Sequence, residues 1–194
     1  GIGGNDTNEV VRQFREFDLT GYDAILSVSP YYNKPNQEGI FQHYKALDAA
    51  TPLPIIMYNV PGRTGMSVSA ETSLRIAHEC PNIFATKEAS GNFDLINQLI
   101  KNKPEHFMVI SGDDPITLQM IAGGAEGLIS VVANAYPKEY SDMVRLCLAG
   151  KFAEAEKLHW SDVKNNWYVE LISNLRPADV LPGALLFLRQ VREA

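Results

Sequence analysis

One pattern constrains this chain more than any other. Five apolar runs, at residues 24–29, 54–58, 83–87, 107–111 and 127–131, each close on polar residues and are each followed by a helical stretch. The runs are apolar throughout rather than alternating, as strands are when helices cover both faces of a parallel sheet. Strand and helix in strict alternation indicate parallel βα units. Helices are expected from Asp6 or Thr7 to about Leu19, and over about 36–50, 69–80, 93–101, 115–122 and 138–149. Beyond Gly150 the pattern is helical only, over about 152–172 and 183–191.

The polar residues collect at the C-terminal ends of the runs: Ser29-Pro30-Tyr31-Tyr32, Tyr58, Lys87, Ser111-Gly112-Asp113-Asp114 and Ser130. That end carries the ligand site in both a (β/α)₈ barrel and a doubly wound sheet. No glycine-rich phosphate fingerprint links a first strand to its helix, so the barrel is preferred. The expected fold is therefore α/β, a TIM (β/α)₈ barrel. Residues 1–150 would supply its C-terminal five units and 151–194 a helical extension. Eight strands in roughly 250 residues make a whole barrel. Gly1-Ile2-Gly3-Gly4-Asn5 reads as a loop after a strand, and about three strands are expected upstream of it.

A lysine at the end of a buried strand is unusual, because desolvation disfavours its ammonium and lowers its pKa. Such an amine can attack a carbonyl, and a neighbouring phenol such as Tyr58 can move the protons that attack requires. Other readings stay open on the residues alone. Lys87 could pack its stem on the rim and reach water, and Tyr58 could do the same with its hydroxyl. Arg63 could be a surface residue of a Pro-Gly turn, although its planar fork suits a bidentate carboxylate. Tyr31 and Tyr32 could be interface aromatics.

Composition removes other classes. A net charge of −6 with no basic cluster argues against a nucleic-acid or anionic-membrane surface. No apolar run reaches the roughly 18 residues of a membrane span. Cys80 and Cys147 suggest no disulfide framework, and free thiols fit a reducing cytoplasm. His43, His78, His106 and His159 lack ligand spacing, and no metal is expected. Asp113-Asp114 resembles a metal-binding pair, but Asp113 reads better as a helix N-cap. The 152–172 stretch, with Trp160 and Trp167, reads as a packing helix rather than a cofactor box.

At seven stretches the chain resembles the dihydrodipicolinate synthase family, part of the pyruvate-dependent class I aldolase superfamily that includes N-acetylneuraminate lyase. They are Gly3-Gly4-Asn5-Asp6-Thr7, Pro30 to Pro35, Gln37-Glu38-Gly39, Tyr58 to Gly65, Lys87 to Gly91, Ser111 to Asp114, and Gly127 to Ser130. Their order and spacing match the family's over about residues 1–160. The resemblance implies condensation of pyruvate with aspartate semialdehyde, the entry step to diaminopimelate and lysine. It needs no cofactor beyond the covalent Schiff base at Lys87.

The resemblance also implies residue roles. Tyr58 would relay protons, Arg63 would receive the semialdehyde's carboxylate, and Tyr32 would reach across a dimer interface into a neighbour's site. Gly112 and Ile129 would line the pyruvate pocket. Asn5, Glu9 and Tyr31 match positions that bind lysine in feedback-sensitive members. The implied assembly is a homo-oligomer, a tetramer built as a dimer of dimers. Arg63 favours the synthase over the neuraminate lyase branch; another pyruvate aldolase and a non-catalytic truncated product are the alternatives. The family's Gly-Thr-Thr-Gly-Glu loop does not occur in this sequence, nor do the histidine-bearing parts of the lysine site. After about Ser161 the likeness drifts, with Arg176 to Val180 only faintly echoing the family.

Overall fold

A computed structural model describes residues 1–163. The expected helix at 183–191, the 164–172 part of the preceding one, the 176–180 stretch and the rings of Trp160 and Trp167 lie outside the described residues. The chain runs α1 (Thr7–Glu16), β1 (Ile25–Val28), α2 (Gln37–Ala50), β2 (Ile55–Asn59), α3 (Pro61–Thr64), α4 (Ala70–Glu79), β3 (Ile83–Glu88) and α5 (Phe93–Asn102). It continues through β4 (Met108–Ser111), α6 (Thr117–Ala122), β5 (Gly127–Leu128), α7 (Pro137–Leu148) and α8 (Phe152–Val163). Among the described residues all strand pairs are parallel, in the order β1-β2-β3-β4-β5. A doubly wound sheet reverses its strand order at the ligand crevice. This sheet never does, as expected of a sector of a barrel.

Local chemistry explains four of the helix starts. Asp6, Asn36, Ser69 and Asn92 cap α1, α2, α4 and α5, each accepting a first-turn amide that would otherwise lack a partner. The expected helix to Leu19 ends three residues early. Asp18 Oδ1 accepts the Thr20 amide at 3.0 Å, a local turn that competes with helix, and Gly21 follows at φ +82°.

Three expectations need correction. The 59–65 turn contains a short helix, α3, closed by Gly65 in the left-handed region. The fifth strand is two residues long rather than five. After it the Asp114 carboxylate accepts the Ser130 hydroxyl and the Val131 amide at 3.0 Å, turning the chain into a 3₁₀ turn at Val132–Asn134. Asp113 sits at the start of the 3₁₀ turn Asp114–Ile116, but its side chain makes no capping bond. The Asp114 carboxylate serves the 130–132 segment instead.

Among the described residues the core falls into two clusters. One gathers Phe14, Phe41, Tyr44, Leu47, Met57 and Ile83 with their neighbours, and the other Leu99, Val109, Met120, Tyr140, Met143 and Cys147. Full burial of a side chain such as Leu47 or Leu99 stabilises by roughly 1.5–3 kcal/mol. Among the described residues no helix is long and apolar enough to cross a membrane.

Candidate active site

The site is set by a register shift. Ile55 pairs with Ile83, yet Ile56 pairs with Ala85, so β3 carries one extra residue at Phe84. From there Tyr58 pairs with Lys87 and Asn59 with Glu88. Register partners share a face and successive residues alternate. The bulge therefore puts Tyr58 and Lys87 side by side on one face, with Asn59 and Glu88 on the other. Without it, Tyr58 would stand beside Thr86.

The Lys87 ammonium lies 4.3 Å from the centroid of the Tyr58 ring. Lys87 is 8% exposed, and among the described residues its amine makes no hydrogen bond or ion pair. Burial pulls its pKa down, while the Asp114 carboxylate partly opposes the shift. The Tyr58 phenol is raised by burial, lowered again by the Arg63 charge and raised by Asp113. The strand beneath Tyr58 is held by Tyr44, whose hydroxyl donates to Ser27 O at 2.9 Å and accepts the Tyr58 amide at 3.4 Å.

Gly112 is required by space. A β-carbon there would lie 2.9 Å from Lys87 Cγ and Cε and 3.0 Å from the Ala89 β-carbon. Any side chain would push the lysine aside. Ile129 continues past β5, its amide donating to Ser111 O at 2.9 Å. Arg63 projects from α3 at the same end of the sheet and is exposed. A buried amine, an adjacent phenol and a cation close enough to act on that phenol can together form an imine and hold a carboxylated partner.

Other expected residues are elsewhere. Tyr32 is 88% exposed and stands at φ +70°, a strained conformation for a bulky residue; this chain does not bring it to Lys87. Asn5 and the Tyr31 loop are linked, because Asn33 Nδ2 donates to Asn5 O at 3.1 Å. Glu9 lies on α1 with its carboxylate bound by Arg12 at 2.6 and 2.8 Å and by Gln13 at 3.0 Å, which lowers its pKa to about 2. Among the described residues no three His, Cys, Asp or Glu converge as a metal site.

Reading the residues alone missed Asn59 and Glu88, both fully buried. Their signal was available: each directly follows a site residue on its strand, so alternation turns it away from the site and into the layer beneath the helices.

The profile of the Dihydrodipicolinate synthetase family matches residues 1–173. The chain belongs to this family. It is 58% identical over 161 residues to a 4-hydroxy-tetrahydrodipicolinate synthase of Parabacteroides distasonis, covering 83% of this chain and 54% of that protein. To the enzyme of the same name from Porphyromonas gingivalis it is 53% identical over 158 residues, covering 81% and 53%. The chain thus spans about half the length of the curated relatives it matches. Among solved structures, the dihydrodipicolinate synthase of Aquifex aeolicus matches with a TM-score of 0.83 and 35% identity, over 100% of this chain and 72% of that one. That of Bacillus anthracis gives 0.77 and 41%, over 82% and 54%. These neighbours are TIM-barrel enzymes, and the five-strand sheet is a sector of that barrel.

Proposed function

We propose that this family member serves the condensation of pyruvate with L-aspartate 4-semialdehyde to 4-hydroxy-tetrahydrodipicolinate, through a Schiff base on Lys87. The observation that carries the reading is the desolvated Lys87 amine beside the Tyr58 ring, in a chain more than half identical to proteins bearing that name.

The neutral Lys87 amine adds to the ketone carbon of pyruvate, and loss of water leaves an iminium. The iminium draws electrons from the methyl group, which gives up a proton and becomes an enamine. The enamine carbon attacks the aldehyde carbon, whose oxygen takes a proton. The semialdehyde's own amine then displaces Lys87 from the former ketone carbon, closing the ring and freeing the lysine. Each step moves a proton, and Tyr58 is the group beside Lys87 to carry it. Arg63 holds the semialdehyde's carboxylate as a fork.

In this reading Tyr32 acts in a neighbouring copy, within a tetramer. Its exposure and left-handed backbone support a role outside its own subunit. No cofactor is called for.

Incubation with pyruvate, borohydride reduction and peptide mass spectrometry test the reading. A pyruvyl adduct at Lys87 is expected, with Lys87→Ala giving none and Tyr58→Phe forming it about 10²-fold more slowly. An adduct spread over several lysines, or equally fast in Tyr58→Phe, would overturn it.

A further inference from the structure

We propose that Asn59 and Glu88 form a positioning pair that fastens the loop carrying Arg63 to the strand carrying Lys87. The pair would thereby fix where the second substrate's carboxylate is held. This rests on the reading above, in which Lys87 takes pyruvate and Arg63 the semialdehyde.

The two residues are register partners on the sheet face opposite Tyr58 and Lys87, and both are fully buried. A buried carboxylate is costly unless bonded, and burial pushes the Glu88 carboxyl up. The sheet does not need it for closure. The Ala89 amide bonds Asn59 O at 2.9 Å and the Gly112 amide bonds Glu88 O at 2.8 Å, backbone to backbone.

What the side chains add is a link out of the sheet. Asn59 Nδ2 donates to Glu88 Oε2 at 2.9 Å, and Glu88 Oε1 accepts the Ser90 amide at 2.7 Å. Asn59 Oδ1 accepts the Val68 amide at 3.0 Å. The chain leaves the sheet at Asn59, passes through α3 with Arg63, and returns at Val68. The Asn59 amide therefore fastens both ends of the 60–67 excursion, and Glu88 fastens Asn59. Gln37 adds a clasp from α2, bonding Ser67 O and the Ser69 amide, each at 2.9 Å.

Arg63 has no such tether. Among the described residues its guanidinium makes no hydrogen bond or ion pair, so its reach depends on the loop backbone. A shift of about 1 Å in a positioning group can cost 10²-fold in rate.

The donor pattern supplies the test. Asn59→Asp sets carboxylate against carboxylate, and Glu88→Gln sets an amide N–H₂ against a donor. Together they transpose the pair. Asp at 59 accepts from the Val68 amide and from Gln at 88, whose oxygen accepts the Ser90 amide, so the bonds that join the pair to Val68 and Ser90 are restored; only the longer contacts of Asn59 Nδ2 with Val68 O at 3.4 Å and Ser67 Oγ at 3.5 Å are lost.

Expected is a rise of about tenfold in the KM for aspartate semialdehyde in each single variant. The KM for pyruvate should change less than about twofold, and the double variant should recover most of the loss seen in either single. Equal rises in both KM values, or a double variant no better than the sum of the singles, would overturn the pairing. Should Asn59→Asp not fold, Glu88→Gln against the double variant makes the same comparison.

Hydrogen exchange separates this proposal from the one it rests on. Glu88→Gln is expected to speed exchange at the Val68 amide, which Glu88 reaches only through Asn59; unchanged exchange there would overturn the pair. Absence of a wild-type pyruvate adduct would instead overturn the Schiff-base reading and leave the exchange result to stand.

Discussion

At the residue scale the site turns on one buried amine. The Lys87 ammonium is disfavoured by burial and held charged in part by Asp114, with burial the larger effect. Its pKa in the folded chain therefore lies below the ordinary lysine value of 10.5. Only the neutral amine attacks, so the initial rate of pyruvate trapping should rise with pH with its midpoint below 10.5. Asp114→Asn should move the midpoint lower still. Trapping over pH 6–11, against a free alkylamine as reference, checks this; a midpoint at or above the free amine's would refute the desolvated environment. That Lys87 and Tyr58 lie together was legible because an apolar run that ends on a reactive side chain is an unusual pattern. Gly112 was singled out only through the family resemblance, and its close approach to Lys87 is something no local pattern encodes. Asp113 was misread because an acid before a helix start suggests a cap, whereas here the acid that makes bonds is its neighbour Asp114, and it serves the distant 130–132 turn.

At the element scale, strand and helix identities followed from apolar runs and capping residues, and Asn36, Ser69 and Asn92 stand where such residues should. What could not be read was phase. The bulge at Phe84 changes which face Lys87 occupies, and it follows from how β2 and β3 pack rather than from either run. β5 was overestimated because its apolar run continues while a distant carboxylate pulls the chain away. The join of α1 to α2 was also hidden: the buried His43 meets Thr7 Oγ1 through Nδ1 at 2.8 Å. Burial lowers the His43 pKa to about 4, against 6.5 for the ordinary group. Between those values the unfolded chain binds more protons, so stability should fall as pH drops from 6.5 toward 4. The loss should approach roughly 3 kcal/mol at the lower end. Urea melts of wild type and His43→Gln isolate it from the carboxylates' background. Parallel pH dependences in the two would show that His43 is not responsible.

At the scale of the whole molecule the question is whether the two core clusters behave as one body, because the site lies where they meet. They interlock rather than abut. α4 gives Ile76 and Ala77 to the first cluster and Ala70 to the second, while Phe107, just before β4, belongs to the first and Val109, within β4, to the second. The backbone links the sheet across the same boundary, the Gly112 amide bonding Glu88 O. Opening either cluster would then pull β3 and β4 apart and separate Lys87 from the floor made by Gly112. Leu47→Ala empties a fully buried site in the first cluster and should cost about 2–5 kcal/mol. If the molecule opens as a unit, that loss should appear in hydrogen exchange of α7, in the second cluster, as fully as in α2. It should appear equally in the denaturant midpoint for loss of pyruvate trapping. Faster exchange confined to α1 and α2 would show instead two units that open separately, and trapping would then outlast the first transition.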